Sequence, residues 1–365
     1  MADNATSNFT CSGSTETRGS ISPVAWIFAI VATLIGACLL ALSMVMQRYA
    51  LAYPEPRVPF GRFQVRKNVL WFGGLLLYAA ANGFKIVGFN LASMTVLASV
   101  FTSLLVFNLI FARWLLREEV TAPKVAGSVL ILVGACICTA SVPSDAPTAF
   151  EPEEFACLLE SGPPGGYSFV GAVVLLIIIS SIFICYYERS YAREPASVAP
   201  DNEADLATAV TPAVGSEAAL GRPPAWLDAA MAIIYPATLG VDEAVSDLFV
   251  RGYSSMLAQC SGVDDVSCGH YALGVAVAGG VIAGFCSIIF MRIAFARYPT
   301  TVALPIEYGA LNAGNVCVGL LFYQEHRFMD ATQLALALSG TAVILTGIAV
   351  GRLPTKKKSI TPVGK

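Results

Sequence analysis

The chain alternates long apolar runs with short polar breaks. Nine such runs are readable, at 24–46, 69–91, 94–112, 125–142, 168–187, 226–250, 271–295, 302–322 and 332–350. Each approaches the ~20 residues a helix needs to cross a hydrocarbon core. The pattern predicts an all-α, polytopic membrane protein of about nine transmembrane helices. The polar breaks divide it into an extracytoplasmic tail (1–23), a first membrane repeat (24–192), a cytoplasmic linker (193–225), a second membrane repeat (226–351) and a basic cytoplasmic tail (352–365). The linker is rich in Ala, Pro, Asp, Glu and Thr without apolar periodicity, a composition that does not build a packed core.

The stretch 74–139 recurs downstream. Thr95-Val96 finds Thr301-Val302, Glu119 finds Glu325, and Gly134 finds Gly340, each pair 206 positions apart (301 − 95, 325 − 119, 340 − 134). Lys85 finds Arg292 with one residue of slippage. The repeat displaces its unit by five spans, an odd number, so the second copy enters the membrane from the other side. That is an inverted repeat, five spans plus four, the plan associated with alternating access around a site near the midplane.

Composition sharpens this. Residues are 56% hydrophobic and only 13% charged, and mean hydropathy is +0.68. A soluble domain carries about 25% charged residues, so this chain lacks the polar surface to cover itself in water. The net charge of −3 and the absence of a dense basic cluster give no nucleic-acid surface, and two histidines, His270 and His326, are too few for a His-rich metal site. No nucleophile–base pair, redox motif or phosphate loop emerges. The segment Gly162-Pro163-Pro164-Gly165-Gly166 lacks the Lys and helix of a P-loop. The expectation is therefore no enzyme and no cofactor.

Orientation follows from Lys and Arg. The breaks after runs one, three and five carry Arg48, Arg57, Arg62, Arg66 and Lys67, then Arg113, Arg117 and Lys124, then Arg189 and Arg193; the tail carries Arg352 and Lys356 to Lys358. The positive-inside rule places the N-terminus outside and the C-terminus in the cytoplasm. The sequons at Asn4 and Asn8 then face the glycosylating side, which fits a plasma or endosomal membrane. The first run has no basic region before it and reads as a retained span. Cys38, Cys136, Cys138, Cys185, Cys286 and Cys317 fall in apolar runs. Cys11, Cys157, Cys260 and Cys268 fall outside, where Cys260–Cys268 would close a short disulfide loop.

The run from Gly74 through Glu119, with Ala92, Thr95 and Arg117-Glu118-Glu119, and the run Thr301-Val302…Pro305-Ile306-Glu307-Tyr308, resemble the NIPA-type magnesium transporters of the drug/metabolite transporter superfamily. The resemblance covers 36–351 apart from the linker. It implies about nine helices in a five-plus-four inverted repeat and transport of Mg²⁺ or related divalent cations, as substrate and not as cofactor. The chain departs from the family's second helix, with Ala81-Asn82 and Lys85 where a Gly-Glu pair is usual.

Charges inside spans cost roughly 2.5 to 3.5 kcal/mol each at a helix centre, so they are functional candidates. Asp242, Glu243 and Asp247 sit in the sixth run, Glu307 and Asn312 in the eighth, and Asn82 and Lys85 in the second. Pro305 lies two residues before Glu307, removes a backbone donor and is a candidate hinge. Magnesium takes oxygen ligands, keeps several waters and needs one or two carboxylates; Glu307 with Glu243 or Asp247 could supply them, and Glu307 and Glu243 are the candidate metal ligands. Bland alternatives stand beside these. Asp247 lies near the outer end of its run and either faces water or the pathway, and Glu307, about five residues into its run on the cytoplasmic side, either lines the pathway or sits at the interface. Lys85 and Arg292 either line the pathway or snorkel, and Asn82 either lines it or bridges helices. Besides divalent-cation transport, two rival functions remain: transport of an anionic or organic metabolite countered by Lys85 and Arg292, and a non-transporting scaffold. Partners are the lipid bilayer and a small solute, with a homodimer as a candidate assembly.

Overall fold

A computed structural model describes residues 23–52, 56–60, 63–91, 102–118, 120–141, 150–191, 223–260 and 269–351. The described part is helical apart from one two-stranded ribbon. In order come α1 (Pro23–Ala52), β1 (Arg57–Phe60), β2 (Phe63–Arg66), α2 (Lys67–Leu91), α3 (Leu104–Phe111), α4 (Ala122–Ala140), α5 (Pro152–Glu160), α6 (Gly166–Ser190), α7 (Ala225–Cys260), α8 (Tyr271–Arg297), α9 (Thr300–Cys317) and α10 (Ala331–Gly351). The described parts of the apolar runs are helical, the third run being described only from 102 on, and four helices are long and apolar enough to cross a membrane: Ile30–Ala52 within α1, and all of α6, α8 and α10. This is a membrane-embedded helical protein.

The helices bury unequal shares of their apolar surface. The most apolar window of α1 is 56% buried, that of α6 only 11%. Leu175, Ile182 and Phe183 of α6 stand exposed. Exposed apolar surface on that scale is stable only against lipid tails or another apolar partner. Alpha1 instead runs through the centre, where Ala37, Ala41 and Met44 join Leu104, Ile131, Tyr235, Phe295 and Leu304 in the main core.

Helices α4 and α10 cross with almost nothing between them. A Cβ on Gly127 would lie 2.6 Å from the Gly347 carbonyl oxygen, and one on Gly134 2.7 Å from that of Gly340. The Cys138 thiol reaches the Ala337 carbonyl at 3.4 Å. Positions rise along α4 as they fall along α10, so the pair is antiparallel. Small residues at such crossings let backbones approach closely enough for dispersion to hold them where no hydrophobic drive exists.

Two helices end in the same unusual way. Alpha3 widens into a π-turn over Ala112–Leu116 and stops at Arg117 in the left-handed region, φ 54°. Alpha9 widens into a π-turn over Val318–Phe322 and stops past Tyr323 at Gln324, φ 55°. The turns lie 206 positions apart (318 − 112). The left-handed residues differ by one more (324 − 117), so the acid that follows is Glu118 in one case and Glu325 in the other.

Two elements escape an apolar reading. The β1–β2 ribbon is antiparallel, with Arg57 opposite Arg66 and Phe60 opposite Phe63. Alpha5 is a nine-residue helix opened by a capping box: the Glu151 backbone N–H donates to the Glu154 carboxylate at 3.1 Å and Pro152 starts the first turn. Its Phe155 packs on Gly252 of α7 and on Phe322.

Candidate functional site

The site forms where α7 and α9 touch. A Cβ on Gly240 would collide with the Glu307 carbonyl oxygen, and one on Gly314 would come within 2.7 Å of the Ala244 Cβ. Backbone meets backbone, and this sets Glu243 beside Glu307.

Glu307 is 0% exposed and neither of its carboxylate oxygens has a hydrogen-bond partner. It lies within range of the Glu243 charge. Tyr78 of α2 donates its hydroxyl to Glu243 Oε1 at 3.1 Å. Tyr308, itself buried, lies within range of Glu243, Glu307, Asp247 and Tyr78. Asn315 Nδ2 donates to Asp247 Oδ2 at 3.2 Å. Pro305 is buried inside α9 one half-turn before Glu307. Three helices thus bring Tyr78, Glu243, Asp247, Glu307, Tyr308 and Asn315 into one group.

Other expected members go elsewhere. Asp242 faces α8, where the Ser287 hydroxyl donates to it at 2.7 Å. Asn82 and Asn312 lie on the second and eighth runs as expected, but each spends its amide donor on its own helix, to the Tyr78 carbonyl at 3.0 Å and the Tyr308 carbonyl at 2.7 Å. Arg292 is exposed and lays its guanidinium over the Trp71 ring at 5.2 Å, away from the acids. Trp71 and Arg292 together make a cation–π pair. The side chains of Lys85 and Cys260 lie outside the described residues, as do Asn4, Asn8 and Cys268. Cys157 is disulfide-bonded.

Tyr78 was missed by charge-based reading. The one available signal was its place four residues before Asn82, on the same helical face. Ser287 carried none. Among the described residues no three His, Cys, Asp or Glu side chains converge on a metal-sized point. The group offers two neighbouring carboxylates and phenol oxygens, suited to a partly hydrated cation and not to a fully caged one.

No family model, curated protein or solved structure matches the chain.

Proposed function

We propose that this protein is a membrane transporter that moves magnesium or a related divalent cation, with Glu307 and Glu243 as the carboxylates that meet the ion. The observation that carries the reading is the Glu307 carboxylate, wholly buried with both oxygens unpartnered. An ionised carboxylate in that condition costs several kcal/mol unless a cation or a proton meets it. Glu243, which accepts the Tyr78 hydroxyl, stands within its range and adds a second carboxylate. A hydrated divalent cation supplies that charge and tolerates few protein ligands.

The bundle plan is nine spans in an inverted repeat of five plus four. Three features support it: the paired π-turns at one spacing, the antiparallel crossing of α4 and α10 at Gly134 and Gly340, and the same spacing between those glycines. Such a plan presents one central site to each face in turn. Transport of an anion countered by paired basic groups draws less support, because Arg292 stacks on Trp71 instead.

The test is flux into proteoliposomes loaded with a magnesium-sensitive dye. The wild-type protein should admit Mg²⁺ above the empty-vesicle rate, and Glu307→Gln should reduce that flux to the vesicle background. Unchanged flux in Glu307→Gln would remove the basis of the reading.

A further inference from the structure

Each π-turn is followed by a left-handed residue and then an acid, and the two acids sit at opposite ends of α9. Glu118 lies at its start. Its carboxylate accepts the Thr300 backbone N–H at 3.1 Å, the Thr301 backbone N–H at 2.9 Å and the Thr300 hydroxyl at 3.3 Å. It therefore caps the first turn and meets the positive end of the helix dipole. Arg48 at the end of α1 lies within range of its charge and donates Nη1 to the Phe295 carbonyl. Lys124 of α4 reaches the Thr301 hydroxyl at 2.9 Å.

Glu325 lies past the other end. It accepts Arg251 Nη1 at 2.9 Å, with 16% and 13% of the two side chains exposed. The same guanidinium lies 4.4 Å over the Tyr323 ring and 5.5 Å from that of Phe150. Glu243, Asp247 and Arg251 recur every fourth residue on one face of α7. That face leads from the Glu307 group, past the Asp247–Asn315 contact, to the Arg251–Glu325 pair.

We propose that the Glu118–Thr300/Thr301 contact and the Arg251–Glu325 pair are the two end closures of the transport path, one parting while the other holds. This rests on the transporter reading above. Both closing acids hang from π-turns, whose looser hydrogen-bond ladder is a natural place for a helix end to bend without disturbing the rest. Arg251 adds a second role: it is a tethered cation that occupies the acid at the mouth of an acidic file, so a solute cation entering there must displace it.

The test uses the full-length protein in proteoliposomes with two reporters, Asn315→Cys near the Arg251 end and Asn108→Cys near the Glu118 end, where Asn108 Nδ2 lies 3.5 Å from the Thr300 carbonyl. A membrane-impermeant thiol reagent is applied to each face, and the rate in the parent protein is subtracted for native thiols. Glu325→Gln should raise labelling of the Asn315→Cys reporter about tenfold, as expected for a small shift between two states, and lower that of Asn108→Cys. Glu118→Gln should do the reverse, from the opposite face. The exchange Arg251→Glu with Glu325→Arg should restore the parent rates. Unchanged rates, a rise at both reporters from one substitution, or failure of the exchange to restore would each overturn the proposal. If Glu325→Gln does not run as a monodisperse peak, Arg251→Lys serves in its place, with the same expected direction. Labelling needs no substrate, so reciprocal labelling without Mg²⁺ flux would sink the magnesium reading and leave the closures standing.

Discussion

Gly134 and Gly340 stand against each other's backbone where α4 crosses α10. A Cβ on the first would lie 2.7 Å from the Gly340 carbonyl oxygen, and one on the second 2.8 Å from that of Gly134. Neither position has room for any side chain. Gly340→Val should therefore force the helices apart, at a cost of about 1–3 kcal/mol from overpacking. A lower melting temperature in detergent and a broadened size-exclusion peak would show it. Gly73→Ala is the control, because nothing lies within 4 Å of the new methyl, and it should melt with the parent.

Tyr78→Phe removes the donor held by Glu243 at 3.1 Å and leaves the ring volume in place. Hydrogen bonds to charged groups contribute about 1.5–3 kcal/mol. If Tyr78 orients Glu243 toward the ion, the concentration giving half-maximal Mg²⁺ flux should rise about tenfold or more. Thermal stability should fall far less than for Gly340→Val. A variant with unaltered concentration dependence would assign Tyr78 to packing alone.

Arg292→Gln separates the two transport readings. The residue lies over Trp71 and not among the acids, so Mg²⁺ flux should stay within about twofold of the parent, consistent with the small energies of exposed cation–π contacts. Loss of flux with preserved folding would bring Arg292 back to the path.

Cys157 is disulfide-bonded, whereas Cys38, Cys136, Cys138, Cys185, Cys286 and Cys317 are free. Maleimide labelling of the denatured, unreduced protein should modify those six and spare Cys157. Reduction should expose it. Peptide mapping by mass spectrometry then names its partner among Cys11, Cys260 and Cys268. Labelling of Cys157 without reductant would contradict the bond.

The helices were legible because membrane spans depend on a property of single segments: apolar length. The run at 271–295 and helix Tyr271–Arg297 agree at one end and differ by two residues at the other. Glu307 was legible for the same reason, since a carboxylate in an apolar run is costly wherever its neighbours lie. Its surroundings were not legible. Tyr78 and Glu243 are 165 positions apart, and Asp242 finds Ser287 across 45; such partners are set by packing, which no local pattern encodes. The apolar run stops at 250, yet α7 continues for ten more residues, to Cys260, and so carries Arg251. Alpha5 was invisible to a search for long apolar runs because it is short and amphipathic.

The contact of Gly240 with the Glu307 backbone has a mechanical consequence. With no side chain between them, α7 and α9 meet backbone to backbone at that height, where sliding or rolling would bring main-chain atoms into collision. That contact makes the two helices a paired mast that carries both acids. Whatever the protein rearranges to load or release a solute must be the helices around that mast and the loosened tips above and below it.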